Sequence, residues 1–143
     1  MITKLNAQQK FVDTDKLSGA EALDAYLEKA RLPDVIGVPA RVVDSLAKRV
    51  GSAPLSISHI AEDLNFSKRT LQRRLQRQNV SFAELRDQVR FHNSIDYLIL
   101  QHMSIDNISV ALDFSDRTSF TNAFKRWTHL SPSTFRKLFR DYV

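Results

Sequence analysis

Ser56-Ile-Ser-His-Ile-Ala-Glu-Asp-Leu-Asn-Phe-Ser-Lys-Arg-Thr70 and Ser104-Ile-Asp-Asn-Ile-Ser-Val-Ala-Leu-Asp-Phe-Ser-Asp-Arg-Thr118 are one motif written twice, 48 residues apart, with eight of fifteen pairs identical. One inserted residue later, Leu71 and Leu75 answer to Phe120 and Phe124. Each copy opens on a serine, Ser56 or Ser104, placed to cap a short helix. It then reverses at Leu-(Asn/Asp)-Phe-Ser and caps a second helix with Ser67 or with Ser115/Asp116. Two helices joined by a three- to four-residue turn make a helix-turn-helix. A reversal this sharp often demands a residue with φ > 0, usually Gly. This chain offers Asn65 and Asp113, which tolerate the left-handed region better than other side chains.

Working outward, Ser81-Phe-Ala-Glu84 is a capping box that opens a connector helix running to about Leu100, with Phe82, Leu85, Val89, Ile95, Leu98 and Ile99 as apolar contacts. About 19 residues at 1.5 Å rise give ~28 Å, near the ~34 Å between successive major-groove faces of B-DNA. After the second copy, Ser131-Pro132 starts a last helix that packs Phe135, Leu138 and Phe139. Before the first copy, Val43, Leu46, Ala47 and Val50 stripe one helix. Ser18-Gly-Ala-Glu21 caps another, with Leu23, Tyr26, Leu27 and Ala30 on one face. Met1 to Lys16 is polar and aperiodic, as at the start of a stand-alone protein or the cut end of a longer one. The expected fold is all-α: two helix-turn-helix subdomains, at about 56–78 and 104–127, on a connector at 82–100, with a C-terminal helix at 132–140. Residues 1–39 form an N-terminal extension with one helix, and 40–143 the main domain.

Composition narrows the function. The 143 residues are 43% hydrophobic and 26% charged, a balance that builds a core. No cysteine is present, so disulfides, thiolate chemistry and cysteine-ligated zinc are excluded. No apolar run exceeds the four residues Tyr97 to Leu100, far short of the ~20 needed to span a bilayer. The expected location is cytoplasmic and nucleoid-associated. Most of the net charge of +5 lies after residue 50, a pole suited to a polyanion. His59, His92, His102 and His129 lack metal-site spacing, and no phosphate-binding glycine loop or nucleophile elbow is written anywhere. No enzyme, cofactor or metal reading is therefore supported.

The helix after Ser67 holds the chemistry. At about 100° per residue, Leu71 and Leu75 face inward while Arg69, Arg73, Gln76 and Arg77 face away, flanked by Lys68, Gln72 and Arg74. No acidic residue lies between Asp63 and Glu84. Any one of these arginines could be ordinary solvated surface, but five mutually repelling cations without i±4 carboxylates are better explained by an anionic partner. Arg can grip guanine O6/N7 bidentately, and Gln can pair with adenine N6/N7. The second copy turns out Thr118, Asn122 and Lys125, with Thr121 and Arg117 at its flanks, while Phe120, Phe124 and Trp127 read as core. A helical module that binds an acidic protein partner is the rival reading.

The quoted copies, together with Ser81-Phe82, the run Phe120-Thr-Asn-Ala-Phe-Lys-Arg-Trp127 and Leu130-Ser-Pro-Ser-Thr-Phe-Arg136, closely resemble the AraC/XylS family of bacterial transcription regulators over roughly residues 40 to 140. The resemblance implies a seven-helix, homeodomain-like DNA-binding domain whose two recognition helices enter adjacent major grooves of double-stranded promoter DNA. It makes Arg69, Gln72 and Arg73 base readers of the first motif, and Thr118, Thr121 and Asn122 those of the second. Lys68, Arg77, Arg117 and Lys125 fall on phosphate-holding positions. RNA polymerase is a further implied partner, as is a dimer formed through a domain missing from this chain. The family usually has Gly at the positions of Asn65, Asp113 and His129, and often Arg at that of Asn122. The last difference weakens the reading expected of the second motif. Asn93 and Ser94 stand where the connector is commonly apolar.

Overall fold

A computed structural model describes residues 18–142; the stretch from Met1 to Lys16 lies outside the described residues. Among the described residues there are eight α-helices and no strand: α1 (Gly19–Lys29), α2 (Val38–Arg49), α3 (Ile57–Asp63), α4 (Lys68–Gln76), α5 (Phe82–Ile95), α6 (Ile105–Ala111), α7 (Arg117–Thr128) and α8 (Pro132–Phe139). The all-α expectation holds, with α2 to α8 supplying the seven helices and α1 the extension. Ser18, Ser56, Ser67, Ser81, Ser104 and Ser131 each accept a hydrogen bond from the backbone N–H three residues on, which satisfies a donor that the first helical turn leaves open. Asp116, rather than Ser115, caps α7. Both turns use the left-handed backbone, with φ of 59° at Asn65 and 58° at Asp113, and His129 ends α7 at 65°.

Two cores lie on the connector. Val42, Leu46, Leu55, Ile60, Leu71, Leu75, Phe82, Leu85 and Val89 form the first, under the first motif. Phe91, Ile95, Leu98, Ile108, Phe120, Phe124, Trp127, Phe135 and Phe139 form the second, under the second motif. The division follows from helical phase. Phe82, Leu85 and Val89 share one side of α5, whereas Phe91 and Ile95 are centred about 130° round it at 3.6 residues per turn. The connector thus carries two separate apolar faces, one for each core.

Its end departs from expectation: the α-helix stops at Ile95, and Asp96–Leu100 continues as a single π turn that buries Leu98 and Ile99. Such turns occur where an extra residue is absorbed into a helix. Arg136 of α8 reaches back, its Nε donating to the Leu98 carbonyl at 2.7 Å and its Nη2 to that of Met103.

The extension helix α1 precedes the first motif in sequence but packs on the second. Ala22, Leu23, Tyr26 and Ala30 complete the second core, with the Tyr26 ring edge-on to Phe135 at 5.3 Å. Tyr26 Oη donates to the carbonyl of Thr128 at 3.1 Å, and buried Lys29 Nζ to that of Trp127 at 2.6 Å, so α1 caps the C-terminal end of α7. The connector in turn caps α1: Gln88 Nε2 donates to the carbonyls of Lys29 and Arg31. Leu27 and Leu138, expected to pack inward, are 44% and 51% exposed because each sits at the edge of its helix's apolar stripe.

Candidate nucleic-acid interface

In the first motif, buried Leu71 and Leu75 fix the roll of α4, and that roll leaves Lys68, Arg69, Gln72, Arg73, Arg74, Gln76 and Arg77 exposed. Lys68, Arg69, Gln72 and Arg73 line one open groove between α4 and the start of α5, floored by Val80 and Phe82. Arg77 stands apart at the C-cap. Among the described residues, none of the α4 cations pairs with a carboxylate. Arg74 instead lies over the Phe66 ring at 5.4 Å, with Arg41 over the same ring at 5.6 Å. Cations with so few internal partners leave their charge for something outside.

The second motif presents less charge. Thr118, Asn122 and Lys125 are exposed along one strip of α7, Thr121 is half-buried, and Phe120, Phe124 and Trp127 are buried beneath. Arg117 lies 3.8 Å from Asp106 on α6, and Arg126 is 3.0 Å from Asp87 on α5. The capping bond from the Ser119 N–H, at 2.7 Å, holds the Asp116 carboxyl below the usual carboxylate range.

Residues outside the sequence-derived set join the two motifs. Arg90 on α5 is buried and donates from Nε to the carbonyl of Leu112 at 2.7 Å and from Nη2 to that of Asp113 at 2.6 Å. Its guanidinium stacks 4.0 Å from the centre of the Phe114 ring. Burial foremost, then the nearby Arg86 charge, pulls its pKa down to about 10. Within the first subdomain, Asp63 accepts from Arg49 Nε at 2.7 Å and from Ser45 Oγ at 2.8 Å, which draws its carboxyl down to about 2. One signal was available for Arg90: a cation one residue from the point where the connector's apolar stripe changes sides. Nothing in the sequence pairs Asp63 with Ser45 and Arg49, eighteen and fourteen residues away.

Two docked helix-turn-helices, one with a carboxylate-free cationic recognition helix, define a nucleic-acid-binding class of domain. The family profile described as "Helix-turn-helix domain" matches residues 60–138, which take in all but the first turns of the first motif and all of the second. The ornithine utilization regulator of Pseudomonas aeruginosa is 31% identical over 101 residues, which is 71% of this chain and 30% of that protein. The urease operon transcriptional activator of Escherichia coli is 34% identical over 80 residues, 56% of this chain and 27% of its own. Among solved structures, the transcriptional regulator CdpR from Pseudomonas aeruginosa superposes with a TM-score of 0.64 at 26% identity, over 84% of this chain and 40% of that one. A DNA-binding transcriptional dual regulator from Escherichia coli K-12 shares the fold, with a TM-score of 0.64 at 16% identity over 72% of this chain and 98% of its own. The chain belongs to the AraC/XylS family of helix-turn-helix transcription regulators. It spans about 30% of the length of the curated relatives that match it, all of them larger proteins. Among the described residues no helix is long and apolar enough to cross a membrane.

Proposed function

We propose that the chain recognises a specific double-stranded promoter sequence by seating α4 and α7 in adjacent major grooves on one face of the duplex. The carrying observation is the repeat built in three dimensions: two copies of one motif on a shared connector, the first with an exposed, carboxylate-free cationic face. Arg69, Gln72 and Arg73 read base edges from α4, and Thr118, Thr121 and Asn122 from α7. Lys68, Arg77, Arg117 and Lys125 hold phosphates, which position the protein without encoding sequence. RNA polymerase and a second copy of the regulator are the further partners of this reading, with the nucleoid as its location.

Selection of bound duplexes from a random pool, followed by footprinting, tests the proposal. The expected result is protection of two groove segments centred about 10 base pairs apart on one face, with affinity falling steeply as salt rises. A single short protected segment would remove the two-groove model. Salt-insensitive binding without base preference would favour the acidic-protein partner. Because only the α4 face offers arginines to base edges, the segment under α4 should tolerate substitution less than the one under α7.

A further inference from the structure

The turn of the second motif is also a docking point for the first. Asp113 has φ of 58°, a backbone that Gly adopts without strain and that a side chain occupies at a cost. Its carboxylate reaches across the molecule: Oδ2 accepts from the backbone N–H of Leu55 at 2.8 Å, one residue before the serine that caps α3. Four residues earlier on the same loop, the N–H of Gly51 donates to the carbonyl of Ala111 at 2.9 Å. Gly51 itself has φ of 89°, and a side chain there would crowd the Tyr97 hydroxyl, 3.2 Å from where a Cβ would sit. Arg90 grips the far side of the same turn through the carbonyls of Leu112 and Asp113. The loop between α2 and α3 is therefore fastened to the turn between α6 and α7, although Asp113, like Asn65 in the turn of the first motif, is itself exposed.

We infer that Asp113 is a positioning residue: its carboxylate, by holding the Leu55 amide, sets the placement of the first recognition helix relative to the second. The inference rests on the two-groove reading for its role in DNA binding, but the mechanical coupling can be tested without DNA. Two subdomains on one helix can still swing by bending it; a side-chain bond between their loops removes that freedom. Selectivity for the spacing of the two groove segments follows, because a rigid pair of heads fits one spacing and a loose pair fits several.

The test compares Asp113→Gly, which keeps the backbone and removes the carboxylate, with Asp113→Asn, whose amide oxygen can still accept from Leu55. The chain has no cysteine, so spin labels on Ser58→Cys in α3 and Ser133→Cys in α8, both exposed, report one inter-subdomain distance. The native chain should give a narrow distance distribution, Asp113→Gly a broader one, and Asp113→Asn a width close to the native. In a parallel arm with unlabelled protein, one base pair is inserted between the segments of the selected duplex. The insertion should cost native protein roughly ten-fold more affinity than it costs Asp113→Gly, the scale of one hydrogen bond to a charged group. Identical distance distributions for native chain and Asp113→Gly would overturn the inference, as would an equal insertion penalty on a duplex whose two segments both matter to the native chain. If the distribution broadens but scrambling the second segment leaves native affinity unchanged, the fastening stands and the two-groove reading falls. Thermal unfolding of all three proteins separates loosening from loss of fold.

Discussion

The two recognition helices share a turn geometry and differ in what holds them. The nine residues of α4 are fixed by two leucines, and its cations have no carboxylate partner among the described residues. The twelve residues of α7 sit on Phe120, Phe124 and Trp127, are capped at the far end by Tyr26 and Lys29, and have both flanking arginines beside carboxylates. A helix whose arginines lie beside carboxylates is well placed but presents less net charge to a ligand. One with idle charges binds strongly but depends on its partner to neutralise them. Under the proposed function, α4 is thus the reader and α7 the anchor.

The largest effect expected from breaking this comparison is on the anchor's core. Phe124 is wholly buried and rests edge-on to Phe135 at 5.2 Å and to Phe91 at 6.2 Å. Phe124→Ala should cost about 3 to 5 kcal/mol, read as a fall in the urea midpoint. A transition split in two by the variant would mean that the cores unfold separately, with the second going first. Next comes the reader. Arg73→Ala or Arg69→Ala should lose about 1 to 3 kcal/mol on the selected duplex and little on a scrambled one. Equal losses on both duplexes would move that residue to the phosphate class and erase the distinction between the helices. Lys125→Ala on α7 should instead weaken all duplexes alike and flatten the salt dependence.

Smaller changes sharpen the contrast. If Asp106 ties up charge on the anchor, Asp106→Asn should release Arg117 and raise affinity for every duplex roughly two- to five-fold, the scale of an exposed ion pair, without altering base preference. Titrations against selected and scrambled duplexes check this, and a gain confined to the selected one would make Arg117 a base reader. The smallest effect is in the first subdomain. The Asp63 carboxyl is drawn from 3.8 to about 2 by Arg49 and Ser45, so its contribution is fully present above about pH 4 and lost as pH falls toward 2. Urea midpoints measured across that range should fall in the native chain and fall less in Asp63→Asn.

The fold was legible because its signals are local. Serine caps, an Asx residue at each turn and the leucine or phenylalanine pair after it each act over a few neighbouring residues, and the repeat writes them twice. The exposed set on α4 followed from the same periodicity. What stayed hidden depends on chain brought together from far away. Lys29 meets the Trp127 carbonyl across 98 residues, Asp113 meets Leu55 across 58, and no spacing rule joins them. The π turn was hidden for another reason: Tyr97 to Leu100 reads as an ordinary apolar helical run, and the Arg136 bond to the Leu98 carbonyl that accompanies the change of winding comes from α8, 38 residues away. Leu27 and Leu138 misled because an apolar stripe marks a face without marking where its edge falls.

The two apolar faces of α5 make the connector a crankshaft with two throws. Its length sets how far apart the heads stand, and each residue changes that by only about 1.5 Å; its phase sets which way they point, and each residue turns that by about 100°. Between Val89, the last contact of one throw, and Phe91, the first of the other, stands Arg90 alone, and it is the residue that grips the second motif's turn. A single insertion or deletion there would turn one subdomain by about 100° against the other, and so set the phase of the connector against the bonds that fasten the two loops together.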